Sequence, residues 1–148
     1  MFRGHYEHAI DAKGRTSLPA RFRQNLHGDG RLVLTPALVP NTCLDVYPLA
    51  AWEELEAKVA KLNRWDGDVV RFRRRYISAA HEVEVDRAGR VLVPVSLREA
   101  AALDKDVLWA GVGSTVELWA KARWSAAEDL EGEDLERWTM AIAEKLEL

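Results

Sequence analysis

Asp11-Ala12-Lys13-Gly14-Arg15, running on into Thr16-Ser17-Leu18-Pro19, returns seventy-five positions later as Asp86-Arg87-Ala88-Gly89-Arg90, followed by Val91-Leu92-Val93-Pro94. Around this stretch the copies keep agreeing: Ile10 matches Val85, and Phe22-Arg23 matches Leu97-Arg98. After a shift of three residues, Leu44-Asp45-Val46-Tyr47 lies on Val116-Glu117-Leu118-Trp119, and Trp52 lies on Trp124. An internal repeat decides architecture before any single element does. The chain therefore reads as a tandem of two similar units, residues 1–75 and 76–148.

A chain of 148 residues has the length of one domain, and units of roughly seventy residues are marginal for building a core alone. The two halves are expected to share one core. No stretch approaches the roughly twenty apolar residues of a membrane span, and Met1-Phe2-Arg3-Gly4-His5 leads into no apolar run of the secretory kind. These features predict a cytosolic protein without a membrane partner. Cys43, the single cysteine, sits beside an alternating apolar run and reads as a small core residue.

Local patterning predicts mainly β structure with helices. His8 and Ile10 alternate into the Asp-x-x-Gly-Arg turn, Gly14 supplies positive φ, and Thr16 to Leu18 leave as a second strand. Pro19 opens a short helix over Ala20 to Leu26, ended by a loop at His27-Gly28-Asp29-Gly30. Arg31 to Thr35 and Leu44 to Tyr47 read as strands. From Ala51 the period becomes helical, with Trp52, Leu55, Val59 and Leu62 on one face and Glu54 set to pair with Lys58. A further helix follows Trp65-Asp66-Gly67-Asp68, carrying Val69, Phe72 and Tyr76.

The second unit repeats this order, with strands at Val107 to Trp109 and Thr115 to Trp119 and a hairpin loop at Gly111 to Ser114. Ser125 with Glu128 reads as a capping box that begins the last helix. The six tryptophans are assigned to cores and interfaces.

Charge is uneven although the net is only -3. Residues 1–31 carry six basic against three acidic side chains, and Arg71, Arg73, Arg74 and Arg75 form a second basic cluster. From Ser125 onward eight acidic residues face two basic ones. Such asymmetry is a statement about partners: a polyanion would meet the basic face, not the total. The arginine cluster reads as a solvated helix face, a phosphate contact, or a contact to a neighbouring subunit's acidic tail.

Nothing demands catalysis. There is no phosphate-binding glycine loop, no metalloprotease motif and no paired-cysteine zinc spacing. His5 and His8, near Glu7 and Asp11, come closest to a metal set, but strand alternation points positions 5 and 8 to opposite faces. No enzyme, cofactor or metal is expected.

The turn itself has two readings. In one, Asp11 and Asp86 order their turns and the arginines merely fold back to pair with them. In the other, Asp11 still orders the turn while Lys13, Gly14 and Arg15 present a rigid hairpin to the major groove of duplex DNA. Arg3, Arg21 and Arg23 would then contact phosphates.

The doubled Asp-x-x-Gly-Arg with its following proline, the Tyr47-Pro48-Leu49 to Trp52 block and Glu117-Leu118-Trp119 together resemble the MraZ family of bacterial transcriptional regulators, to about Glu131. More broadly the units resemble the AbrB type of swapped-hairpin DNA-binding domain. The resemblance implies an α+β fold in which the two units form a pseudo-dimeric swapped-hairpin β-barrel with helices outside. It implies a cytoplasmic, nucleoid-associated repressor that forms a ring-like homo-oligomer and binds double-stranded DNA. The expected sites are direct repeats in the promoter of its own gene cluster for division and cell-wall proteins. Lys13, Gly14 and Arg15 match the DNA-contacting turn, Arg23 a basic position after the proline, and Arg90 and Arg98 the same positions in unit two. Ala88 stands where unit one has Lys13, and Ser96 where it has Arg21. Unit one is therefore expected to read DNA, with Arg87, Arg90 and Arg98 as secondary contacts. The competing class is an antitoxin-like or scaffold interaction module on the same barrel.

Overall fold

The computed structural model describes every residue except His27 and Asp29, so that part of the expected His27 to Gly30 loop lies outside the described residues. Unit one runs β1 (Phe2–Ala9), β2 (Arg15–Ser17), α1 (Ala20–Gln24), β3 (Arg31–Pro36), β4 (Leu44–Pro48), α2 (Leu49–Ala60) and α3 (Gly67–Phe72). A π turn at Arg73–Ile77 continues α3. Unit two repeats the order as β5 (His81–Glu84), β6 (Arg90–Leu92), α4 (Val95–Ala100), β7 (Asp106–Gly113), β8 (Val116–Ala120), α5 (Lys121–Ala127) and α6 (Gly132–Leu146). The result is an α+β tandem of two repeats.

Proline sets three of the helix starts. Pro19, Pro48 and Pro94 occupy the cap positions of α1, α2 and α4 with φ of -52°, -57° and -56°. Each brings a fixed φ and no backbone donor to a place where no donor is needed. Asp66 caps α3 differently, its carboxylate accepting from the backbone N–H groups of Asp68 and Val69 at 2.8 and 3.4 Å.

The capping box at Ser125 does not form. Ser125 lies inside the last turns of α5, which starts at Lys121 directly after β8 just as α2 starts directly after β4. The chain breaks after Ala127, and α6 begins at Gly132 behind Glu131, which makes no side-chain cap bond. The repeat register overrides the local capping signal. Glu54 and Lys58 are both exposed and form no ion pair among the described residues. A four-residue charge spacing on solvated side chains stabilises a helix by only about 0.3 kcal/mol and fixes no geometry.

The sheet crosses between the repeats. Six strands run antiparallel in the order β1-β7-β8-β4-β3-β5. The first strand of unit one lies on unit two, with Tyr6 opposite Trp109, and the first strand of unit two lies on unit one, with Val83 opposite Leu32. β4 meets β8 at the centre, with Asp45 opposite Glu117. The short β2 and β6 form a separate ribbon, with Thr16 opposite Val91. Both central pairs join repeat-equivalent positions, so one pseudo-two-fold axis runs through both.

The ribbon covers the open side of the sheet and closes a flattened barrel. Ile10, Leu18, Val91 and Val93 pack against Leu32, Leu34, Leu44, Trp109 and Leu118, with Phe22 of α1 and Leu97 of α4 capping the ends. Phe22 receives the rings of Phe2 and Tyr6 edge-on, with centroids 5.7 and 5.3 Å away. Repeat-equivalent positions trade volume: Phe22 stands where the other repeat has Leu97, and Trp109 where it has Leu34. On the sheet's outer face Val33, Trp52 and Tyr76 seat α2 and the π turn.

One departure from symmetry carries a cost. Thr16 is 1 % exposed, and its hydroxyl has no hydrogen-bond partner among the described residues, at the position where the other unit has Val91. An unbonded buried hydroxyl costs about 1–3 kcal/mol. Thr16→Val is therefore expected to raise the urea midpoint, by about 1–2 kcal/mol of unfolding free energy at unchanged slope. A lower midpoint would mean that the hydroxyl is bonded in solution.

Candidate nucleic-acid interface

The ribbon places its arginines by alternation alone. Thr16 and Val91 point into the core, so Arg15 and Ser17 of β2 and Arg90 and Leu92 of β6 face outward. Ser17 lies opposite Arg90 and Arg15 opposite Leu92. The two arginines are thus diagonal neighbours across the ribbon, with Cα atoms about 8 Å apart at ordinary strand spacings. Lys13 and Arg87 extend this basic face from the two turns, and both are exposed.

Each turn is held by one aspartate doing three things. The Oδ1 of Asp11 accepts from the backbone N–H groups of Lys13 at 3.0 Å and Arg15 at 2.9 Å, while its Oδ2 accepts from Arg15 Nε at 2.8 Å. Asp86 repeats this on Arg90, with backbone and Nε bonds of 2.8 and 3.1 Å. The backbone N–H of Arg15, then its guanidinium, hold the Asp11 carboxyl below the ordinary carboxylate range. Arg90 does the same for Asp86.

Only Nε of each arginine is used in these bonds. The four N–H groups on the two terminal nitrogens remain for an acceptor pair outside the protein. A guanidinium with its inner edge clamped and its outer edge free is preset for bidentate bonding to guanine O6 and N7 or to phosphate.

The arginine after each proline crosses to the other unit. Arg98 of α4 lies over Gly14, its Nε donating to the Val93 carbonyl at 3.0 Å, and Arg23 of α1 lies against Gly89. A Cβ on Gly14 would stand 2.7 Å from Arg98 Nε and 2.8 Å from the Val93 oxygen, at a φ of +92°. Only glycine fits both the conformation and the approach. Backbone bonds also cross, from Leu18 N–H to the Gly89 carbonyl and from Val93 N–H to the Gly14 carbonyl, each 2.8 Å. Each basic turn is consequently built from both repeats: Lys13 and Arg15 go with Arg98, and Arg87 and Arg90 go with Arg23.

This pairing was not legible from sequence, which placed Arg23 only among the phosphate contacts of unit one. Among the other expected contacts, Arg21 is exposed on α1, beside Phe22 that seats the helix. Arg3 is not brought to the ribbon, since it precedes Asp11 by eight residues of mostly extended chain, on the order of 25 Å. His5 and His8 do not meet: His5 packs on the Trp124 ring with centroids 4.7 Å apart, and His8 Nδ1 lies 2.5 Å from the Ser17 carbonyl.

A cluster that sequence reading missed lies on the symmetry axis at the far side of the sheet. Cys43, Asp45 and Glu117 bring possible ligand atoms within 4.8 Å of one another. Their bonds are directed elsewhere. Tyr76 donates its hydroxyl to Asp45 at 2.5 Å, and Trp119 donates its indole N–H to Glu117 at 3.0 Å. Burial, then the nearby Glu117 and Asp45 charges, push the Cys43 thiol far up, which keeps it protonated. Burial also raises the Asp45 carboxyl. The arrangement suits a strand-locking polar network better than a metal site. Its members were unrecognisable in sequence because Glu117 and Asp45 meet only through the β4–β8 pairing.

Comparison with known proteins bears on the whole chain. A family model described as "MraZ protein, putative antitoxin-like" matches twice, over residues 1–75 and 76–142. A protein of Acetivibrio thermocellus named transcriptional regulator MraZ is 44 % identical over 146 residues, covering 99 % of this chain and 96 % of its own length. Its namesake in Heliobacterium modesticaldum is 45 % identical with the same coverage. The one in Pelotomaculum thermopropionicum is 48 % identical over 124 residues, covering 84 % of this chain and 83 % of its own. The chain belongs to the MraZ family.

Proposed function

We propose that this protein is a DNA-binding transcriptional regulator that reads duplex DNA through the outward face of the β2–β6 ribbon. The observation that carries the reading is the pair of clamped arginines, Arg15 and Arg90, each with an outer guanidinium edge that makes no hydrogen bond among the described residues. Relatives bearing the name transcriptional regulator support it. A two-stranded ribbon fits the major groove, which is about 12 Å wide, and the diagonal spacing of about 8 Å lets both arginines enter together.

Lys13 and Arg87 flank the groove, while Arg21, Arg23 and Arg98 serve the phosphates on either side and fix register. Asp11 and Asp86 hold the reading arginines in pose rather than touching DNA. Arg3 stands apart from this face.

The finer reading is repression by occupancy. The protein acts in the cytoplasm at the nucleoid as a ring-like homo-oligomer on short direct repeats in the promoter of its own division and cell-wall gene cluster. Several ribbons engage successive repeats, so weak single contacts add through effective concentration. In the antitoxin-like alternative the barrel holds a protein partner, and tight stoichiometric co-purification with no sequence preference on DNA would favour it. Among the described residues no helix is long and apolar enough to cross a membrane.

Arg15→Ala is expected to lower affinity for the upstream promoter duplex by about 5- to 100-fold, the equivalent of about 1–3 kcal/mol. Affinity for a scrambled duplex should change far less, with the circular dichroism spectrum unchanged. Unaltered promoter binding would make the turn structural only. Arg23→Ala is expected to weaken both duplexes alike and to reduce the salt slope by about one.

The aspartate clamps also predict a pH response. Their folded pKa values lie below the unfolded ones, so their stabilisation is present above the ordinary carboxylate range and is lost as pH falls through the folded values. Chemical denaturation from pH 7 downward should show an acid-side loss below about pH 4 that is reduced in Asp11→Asn/Asp86→Asn. Parallel curves for the two proteins would show that the clamps contribute nothing.

A further inference from the structure

The two repeats treat their last helices differently. At the end of unit one, α3 and the π turn that crosses into residues 76–77 deliver Tyr76 onto Trp52 and Val33, and Phe72 stacks on Tyr76 with ring centroids 5.1 Å apart. In unit two α6 buries no residue. Its sequence is nonetheless strongly one-sided: Leu135, Trp138, Ile142 and Leu146 recur at spacings of three and four. Trp138 is 57 % exposed and Leu146 61 %. Six acidic residues crowd positions 128–136, at and before its start. This helix is amphipathic, acidic and uncovered.

The complement lies on unit one. Between α2 and the α3–π segment runs a cleft of about 340 Å³ lined by Val59, Leu62, Arg64, Arg73 and Ile77. It is continuous with a second that shares Arg64, Arg73 and Ile77 and adds Trp65, Val70 and Arg74. Trp65 is 81 % exposed beneath the Arg64 guanidinium, which sits 5.2 Å from the ring centroid. Arg71, Arg73, Arg74 and Arg75 are all exposed, and none pairs with a carboxylate among the described residues. Glu56, on the α2 wall, is the one acidic residue lining the cleft.

We propose that α6 of one copy of this chain lies in the α2–α3 groove of the next copy. Its apolar stripe covers Leu62, Trp65 and Ile77, and its acidic start meets Arg73 and Arg74. A solvated phosphate backbone would satisfy the arginines but would leave the exposed tryptophan and aliphatic floor uncovered. An amphipathic acidic helix satisfies both. Because helix and groove are different surfaces, the contact is head-to-tail and propagates around a ring or along a filament. The proposal rests on the homo-oligomer reading above and names its interface.

Opposed charge inversions test it. Glu131→Lys/Glu136→Lys reverses the helix at two carboxylates that make no ion pair among the described residues, and Arg73→Glu/Arg74→Glu reverses the groove. All four positions are exposed and outside the barrel core, so circular dichroism and thermal melting should match wild type. Measured by light scattering after size exclusion, the wild type should be oligomeric and each variant alone should fall to single-chain mass. Mixed in equal amounts the variants should recover the wild-type mass, since each helix then meets an oppositely charged groove.

A wild type of single-chain mass would overturn both this interface and the homo-oligomer reading. Variants that stay assembled, or a mixture that does not reassemble, would overturn this interface alone. Arg73→Glu/Arg74→Glu that keeps its assembly but loses promoter binding would assign the arginines to DNA and overturn the proposal.

Discussion

Neither repeat can complete its own sheet, and the rest of the molecule depends on that constraint. β1 has its antiparallel partner in β7 of the other unit, and β5 has its partner in β3 of the first. A unit taken alone would leave strand edges unpaired over an uncovered apolar face, with too few residues to bury it. Exchange of the first strands turns two marginal halves into one core, in which Leu34, Leu44, Trp109 and Leu118 are wholly buried. Unfolding should therefore be a single cooperative event, since no subset of strands encloses a core.

The same exchange makes the basic face. Crossing the first strands brings the turns that follow them together as the β2–β6 ribbon, and inward Thr16 and Val91 force Arg15 and Arg90 outward. Crossed backbone bonds from Leu18 to Gly89 and from Val93 to Gly14 then tie each turn to the opposite repeat. The arginines sit on turns tied by crossed backbone bonds and clamped by aspartates, so part of the conformational entropy of ordering them is lost on folding.

Much of this was legible in sequence. The doubled Asp-x-x-Gly-Arg specified the turns, because an Asx turn, a positive-φ glycine and a following arginine are local chemistry. Most strand and helix positions followed from period, but the expected hairpin loop at Gly111 to Ser114 is mostly strand: β7 runs on to Gly113 because β1 pairs with it as far as Phe2. What escaped was non-local. Sequence placed Arg23 among the phosphate contacts of unit one and Arg98 in unit two, whereas strand exchange sets Arg23 on Gly89 and Arg98 on Gly14. The Cys43, Asp45 and Glu117 cluster exists only through the β4–β8 pairing. The Ser125 capping signal failed because β8 runs directly into α5, leaving Ser125 in mid-helix.

Imperfect symmetry gives the ribbon a direction. A strictly two-fold head would see the same pattern from either end and would suit inverted half-sites. Here Lys13 stands where the other repeat has Ala88, Arg87 where it has Ala12, and Arg21 where it has Ser96. The ends of the ribbon thus differ in where positive charge sits and in whether the adjoining helix carries an arginine or a serine. A polar head binds in one orientation better than the other. Copies joined head-to-tail carry their heads in the same rotational sense, so a cyclic assembly presents them to DNA in series. Under the proposed assembly that geometry would suit repeats running in one direction, and the charge asymmetry of the two turns and the asymmetry of the two last helices would be parts of one arrangement.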